Sequence, residues 1–218
     1  MIKKIVTLSL LTSSLLYAEL EQKGPFISVD ISLPIDSYIE YEPNTEAGYF
    51  TISKYEAKID DNTYSYKLGY QYYFTRFYFR YANNSFEDKD KNKFKADITT
   101  YEVDAEYIPV FYRSSSDTWM IRGLFGFGVG YHYSELTDYT NPEYEFFFPK
   151  DTDLEEQHYM EYGYQVGLLL DTSWGIQLET GYRYRVGDLQ EYKEENTNNE
   201  VSFDLDTSEI YFGLGYMF

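Results

Sequence analysis

Every second residue is large and apolar from Ile210 onward: Ile210, Phe212, Leu214, Tyr216 and Phe218. The residues between them, Glu209, Tyr211, Gly213, Gly215 and Met217, are mostly small or polar. A strand sends successive side chains to opposite faces. One face of this strand therefore suits hydrocarbon and the other does not, and the strand ends on an aromatic residue with no tail.

The same period of two recurs along the chain. Gly24 to Leu33 reads as a first strand, with Ile27, Val29, Ile31 and Leu33 on the apolar face and Ser28, Asp30 and Ser32 on the other. Pro34 to Asn62 is a long acidic connection, expected to carry a protruding hairpin of Tyr38–Tyr41 against Tyr49–Ile52 around Pro43-Asn44. Thr63 to Phe74 is a second strand, pointing Lys67, Gly69 and Gln71 inward, and Thr75-Arg76 is expected to turn tightly into a third with Phe77, Phe79 and Tyr81 outward and Arg80 inward. Glu87 to Asp97 reads as a charged loop. Thr100 to Phe111 is a fourth strand, with Glu102, Asp104 and Glu106 inward. Arg113 to Asp117 is a Ser-rich turn, and Trp119 to Tyr133 a fifth strand with Arg122, Gly126, Gly128, Gly130 and His132 inward. After a second long acidic loop, Ser134 to Gln157, a sixth strand shows Met160 to Leu170 outward and Glu161, Gly163, Gln165 and Gly167 inward. A short turn at Thr172 to Gly175 leads to a seventh, with Glu179, Arg183 and Arg185 inward, and a polar loop from Asp188 to Asp206 precedes the last.

About eight strands with short turns alternating with long loops are the pattern of a closed antiparallel up-and-down transmembrane β-barrel, its short turns periplasmic and its long loops outside. Counting Tyr49 to Ile59 as a further spanning strand would make the number odd, so that stretch is assigned to the first loop. A mean hydropathy of -0.53 fits, because alternation hides the apolar signal of such strands. Tyr (27 residues) and Phe (16) make up most of an aromatic fraction of 21%, as aromatic girdles at two membrane interfaces require.

The start of the chain is basic at Lys3-Lys4, apolar from Ile5 to Leu16 except for Thr and Ser, and small at Ala18. This reads as a secretory signal peptide over residues 1–18, cleaved after Ala18, leaving 19–218 as the barrel with its acidic loops. The apolar run falls short of the roughly 20 residues of a membrane-spanning helix. The formal charge of -19 becomes -21 once Lys3 and Lys4 leave. That argues against nucleic acid, whose binding relies on Lys and Arg. The absence of cysteine excludes disulfides and thiolate metal sites, and the expectation is no cofactor and no metal.

The inward set holds Asp30, Glu102, Asp104, Glu106, Glu161, Glu179 and Glu209 against Lys67, Arg80, Arg122, Arg183 and Arg185, far nearer balance than the 37 acids and 18 bases of the whole chain. Buried charge is costly unless paired and hydrogen-bonded, so these twelve read as a salt-bridged lumen network and the surplus acid sits mainly in the loops. An eight-stranded barrel is just wide enough for side chains to fill, which favours a plugged interior.

The leader, the alternating strands, the charged interior and the terminal Phe218 together resemble the small outer-membrane β-barrels typified by the OmpA transmembrane domain and OmpX. The resemblance covers essentially all of the mature chain. It implies residence in the bacterial outer membrane, contact with lipid and lipopolysaccharide, and a structural, surface-contact or adhesion-like role with an extracellular partner engaged by the loops. It also implies that Ile210, Phe212, Leu214, Tyr216 and Phe218 form the signal read by the barrel-assembly machinery. No peptidoglycan-binding domain follows Phe218, so a cell-wall tether is not implied.

Two other readings compete. The inward Gly126, Gly128, Gly130, Gly163, Gly167, Gly213 and Gly215 remove side-chain volume, which would suit a narrow channel for small solutes; relief of crowding between tightly coiled strands explains them equally. His132-Tyr133-Ser134 is similar to a small-barrel lipid A deacylase in placing His and Ser two apart, with Glu135 or Glu161 as the carboxylate that would orient the His. The parity turns His132 and Ser134 away from lipid, so no enzyme is expected. Asp151, Asp153, Glu155 and Glu156 offer hard oxygen ligands without the spacing of a calcium loop. Arginine at lipid-facing Leu168 is expected to be harmful, and at inward Gln165 milder if the lumen has room.

Overall fold

A computed structural model describes residues 23–45, 55–58, 62–88, 94–138, 156–188, 192–193 and 199–218. The expected strand Tyr49–Ile52, the leader, most of the acidic loops and Phe146-Phe147-Phe148, which reads from sequence either as a partner-contact patch or as a return to the barrel rim, lie outside them. The described residues form twelve strands in chain order: β1 (Lys23–Pro34), β2 (Tyr38–Thr45), β3 (Tyr55–Lys58), β4 (Thr63–Tyr72), β5 (Thr75–Asp88), β6 (Phe94–Tyr107), β7 (Val110–Arg113), β8 (Trp119–Asp138), β9 (Glu156–Thr172), β10 (Ile176–Asp188), β11 (Tyr192–Lys193) and β12 (Asn199–Met217).

Eight of these make a closed antiparallel wall in the order β1-β4-β5-β6-β8-β9-β10-β12, with β1 returning to pair with β12. The stagger of that closure follows from the registers. Arg122 faces Leu169, then Glu179, Gly213, Asp30, Ser65, Ala82, Thr100 and finally His132 on the starting strand, a shift of ten residues. With ordinary strand spacings, that shift tilts the strands by about 40° and gives a barrel whose interior side chains can fill.

Period-two burial runs along each wall strand, as in β4, where exposed Tyr64, Tyr66 and Leu68 alternate with buried Thr63, Ser65 and Lys67. The strands outrun the apolar rows that identify them. β5 and β6 pair as far as Asp88↔Phe94 through the stretch expected as a charged loop, and β12 starts at Asn199 inside the stretch expected as a polar loop. Outside a bilayer nothing demands an apolar row, so the alternation fades while the hydrogen-bond ladder continues.

Three local expectations are corrected. The tight turn lies at Tyr73-Phe74, closed by Tyr72↔Thr75, with Tyr73 at φ 51°. This register brings Arg76 opposite Gln71 and turns it inward, beside the carboxylates described below. The fourth strand breaks at Ile108-Pro109, where proline lacks an N–H. Val110↔Arg122 then resumes the register left at Tyr107↔Phe125, with an irregularity before Tyr112. In the first loop, β2 pairs with β3 from Tyr38↔Lys58 to Tyr41↔Tyr55, so Pro43-Asn44 lies within a strand and makes no turn. The other edge of β2 pairs with β12, including Pro43↔Val201. Pro43 lies beyond the residues β3 covers, an edge position that tolerates proline.

Where β1 gives way to β2 beside β12, Ser37 joins them. Its hydroxyl accepts from Ser208 N at 3.0 Å, while Ile35 N donates to Ser208 O at 2.8 Å. Along β12 the wall is thus continued outward by a hairpin from the first loop.

Candidate functional site: the charged interior

Inward parity on tilted strands gathers polar side chains on the barrel axis, and seven of them close a ring. Lys67 Nζ lies 2.8 Å from Asp30 Oδ2 and donates to Glu179 Oε1 at 2.7 Å. Arg76 Nη2 donates to Glu179 Oε2 at 2.9 Å, and its Nε lies 3.0 Å from Glu106 Oε2. Gln165 Nε2 donates to Glu106 Oε1 at 2.7 Å, Arg183 Nε donates to Gln165 Oε1 at 3.1 Å, and Arg183 Nη2 returns to Asp30 Oδ2 at 3.3 Å. Strands β1, β4, β5, β6, β9 and β10 all contribute. Each ionised member touches groups on two sides, the condition under which buried charge is tolerable. Rings cover the remaining faces of the cations. The Arg183 guanidinium lies 4.4 Å from the Tyr211 ring, and that of Arg76 lies 4.5 Å from Phe26.

On the long-loop side a second cluster adjoins the ring. Glu102 binds both Arg80 and Arg185, and Arg185 Nη2 donates to Asp104 Oδ1 at 3.0 Å. Arg80 lies 3.8 Å from Glu161, which also meets His132 Nε2. The other ring nitrogen of His132 lies 2.9 Å from Thr100 Oγ1, and its ring stacks on Tyr159 at 4.6 Å.

On the short-turn side, Arg122 Nε donates to Asp171 Oδ2 at 2.5 Å and Nη1 donates to the carbonyls of Tyr73 and Ile108. Gln177 Nε2 bridges Asp171 and Gln71. Ile108, Leu124 and Leu169 form an apolar cluster at this end, all 0% exposed.

The inward glycines face occupied space. A Cβ on Gly128 would run into the carboxylates of Asp104 and Glu102, one on Gly130 into Glu161, one on Gly126 into Gln165, and one on Gly213 into Asp30. These positions are small because long side chains from neighbouring strands extend across them. The outward Gly123 is covered in the same way by the Phe111 ring.

The outer face has the opposite character. Leu68, Val103 and Leu214 are 60–64% exposed, and Phe77, Phe127, Tyr162, Val166 and Phe212 stand in the same lipid-ready belt. A continuous apolar belt of this extent is not sustained in water. No protein-family model matches the chain, and no curated protein matches it. Among solved structures it is similar to Neisserial surface protein A, at 14% identity over 89% of this chain and 97% of that one, with a TM-score of 0.52. Other matches include outer membrane protein H (OprH) from P. aeruginosa, at 20% identity over 89% of this chain and 99% of that one, TM-score 0.47. Another is the outer membrane protein AlkL, at 14% identity over 89% and 90%, TM-score 0.49. This chain has the fold of a small outer-membrane β-barrel. The barrel's apolar belt is the face that such a wall turns to that membrane.

All twelve charged residues assigned to the lumen from parity are buried: Asp30, Lys67, Arg80, Glu102, Asp104, Glu106, Arg122, Glu161, Glu179, Arg183, Arg185 and Glu209. Glu209 is the most loosely held, 3.6 Å from Arg183. Sequence reasoning missed Arg76, Asp171 and Tyr78. Arg76 was assigned to a turn, although its parity matches Arg80. With these added, the described interior holds eight carboxylates and six cations. Tyr78 donates to Glu106 at 2.7 Å and accepts from Gln165. His132 is buried with Glu161, as parity required, while the side chain of Ser134 lies outside the described residues. Ile210, Phe212, Leu214, Tyr216 and Phe218 all project from the wall, Phe218 at 68% exposure.

Proposed function

We propose that this barrel is a structural and surface-contact protein of the outer membrane, with a lumen plugged by its own charge network and its activity confined to the wall and outer loops. The observation that carries this reading is the closed Asp30–Lys67–Glu179–Arg76–Glu106–Gln165–Arg183 ring. Its members come from six strands, and opening it would strand ionised groups away from water. The side chains filling the space over Gly126, Gly128, Gly130 and Gly213 favour it over the channel reading. The outer strand ends and the β2–β3 pair extend past the apolar belt, and an extracellular partner of the acidic loops would approach from that side. Export by a leader over residues 1–18 and recognition of Ile210, Phe212, Leu214, Tyr216 and Phe218 by the barrel-assembly machinery belong to the same proposal.

Planar-bilayer recording of the purified barrel tests it. The expected result is no steady current at moderate voltage. A stable, reproducible unit conductance would overturn the plugged lumen and support a channel for small solutes.

A further inference from the structure

The lipid-facing wall is not uniform. Across the seam where β12 meets β1, two cross-strand rows can be read from the registers. One runs Phe79–Leu68–Ile27–Tyr216–Ile176, the other Tyr81–Tyr66–Val29–Leu214. In the first, Leu68 and Ile27 lie between Phe79 and Tyr216; in the second, Tyr81 and Tyr66 stand on one side of Val29 and Leu214. Tyr66 stacks on Tyr81 at 6.5 Å, and Tyr81 and Phe79 both pack on Tyr101, at 5.5 and 6.1 Å. On the far side Tyr216 is braced edge-on by Phe218 at 5.1 Å. Between these walls the surface sinks into a groove of about 660 Å³ lined by Ile27, Val29, Leu68, Leu214, Tyr66 and Tyr216 among others. Its volume falls within the roughly 300–1,000 Å³ range of small-ligand sites.

We propose that this groove holds one acyl chain of a periplasmic-leaflet phospholipid as a resident ligand, distinct from the exchanging lipid around the rest of the barrel. The exposed side chains of the floor are aliphatic; Ser28 and Lys67 also line it but are buried, with Lys67 held inside the barrel by Asp30 and Glu179, so the fit is to a hydrocarbon tail. The leaflet follows from position. Ile176 opens β10 directly after the periplasmic turn and Tyr216 is near the end of β12, so the groove reaches the periplasmic rim. Phe79, Tyr81 and Tyr66 on one side and Tyr216 on the other confine the tail along Leu68 and Ile27, which slows its exchange relative to tails on a convex wall.

Native mass spectrometry of the intact barrel, released from detergent after incubation with dipalmitoyl phosphatidylethanolamine, reads the occupancy. The wild type is expected to carry one lipid per barrel. Val29→Trp fills the floor and is expected to lower that occupancy by about tenfold or more, the effect of overfilling a packed site. Val103→Trp places the same ring elsewhere on the lipid face and is expected to leave it unchanged; Val103 is 64% exposed on β6. Heat-modifiable electrophoretic migration establishes that both variants are folded. Absence of a retained lipid on the wild type, equal loss in both variants, or a dimer in place of the lipid adduct would each overturn the proposal; the last would assign the groove to a second copy.

Discussion

Arg185 donates to both Glu102 and Asp104, and Glu102 is shared with Arg80. Replacing Arg185 with Leu leaves two buried carboxylates to a single guanidinium. The expected loss is about 3–5 kcal/mol, the usual result of removing one partner from a buried ion cluster. Glu209→Gln touches a looser pair and is expected to cost about 1 kcal/mol, in the range of an ordinary hydrogen bond. Urea unfolding in lipid vesicles, followed by Trp119 and Trp174 fluorescence, separates the two; equal losses would mean the network is not what stabilises the interior. Leu168→Arg puts a charge on the lipid face and is expected to cost about 2–4 kcal/mol near the midplane. From sequence, Gln165→Arg is milder only if the lumen has room, and that condition is not met, because Gln165 accepts from Arg183 and donates to Glu106 in a filled ring. A guanidinium there would face Arg183 and is expected to cost about 3–5 kcal/mol by breaking the cluster; the same unfolding assay ranks it against Leu168→Arg.

The strands owe their spacing to unequal side chains. β8 gives up inward volume at Gly126, Gly128 and Gly130, and β6 and β9 fill it. Gly128→Ala is expected to destabilise by about 1–3 kcal/mol, because the added methyl meets carboxylates held by two arginines. Gly123→Ala is expected to cost under about 1 kcal/mol, since it meets only the far end of the Phe111 ring, which is free to swing toward lipid. Thermal migration shifts on gels rank the pair, and an equal effect would contradict the occupied-space account of the lumen glycines. At this scale much was legible beforehand. Period two alone turned Lys67, Gln71 and Gln165 inward and Leu168 outward. The outer half of β12 was not legible, because Asn199–Asp206 stands where no hydrocarbon enforces alternation. Arg76 was hidden by a turn misplaced by two residues, and its parity with Tyr78 and Arg80 was the signal that would have recovered it.

For the whole molecule, closure rests on β1↔β12 and β1↔β4, neither of which involves β2 or β3. Excising Tyr38–Lys58 and bridging the gap with a short turn is therefore expected to leave a heat-modifiable barrel with a similar unfolding midpoint. Loss of the folded form would show that the hairpin is part of the wall. The ten-residue stagger and the ring it assembles were beyond sequence reasoning. Parity says which side chains point inward, but only the registers between strands say which of them meet.

Asp30 lies near the start of the folded chain and Arg183 near its end, yet they complete the same circuit. A half-inserted intermediate, with β1, β4, β5 and β6 in place and β10 still absent, would keep the Asp30–Lys67 and Arg76–Glu106 contacts but lack Glu179 and Arg183, leaving Lys67 and Arg76 each with one carboxylate in place of two. Such a species has no comfortable resting point, so the final strands must arrive together or water must linger inside until they do. The interior chemistry thereby favours a barrel that runs on to closure over one that pauses short of β10.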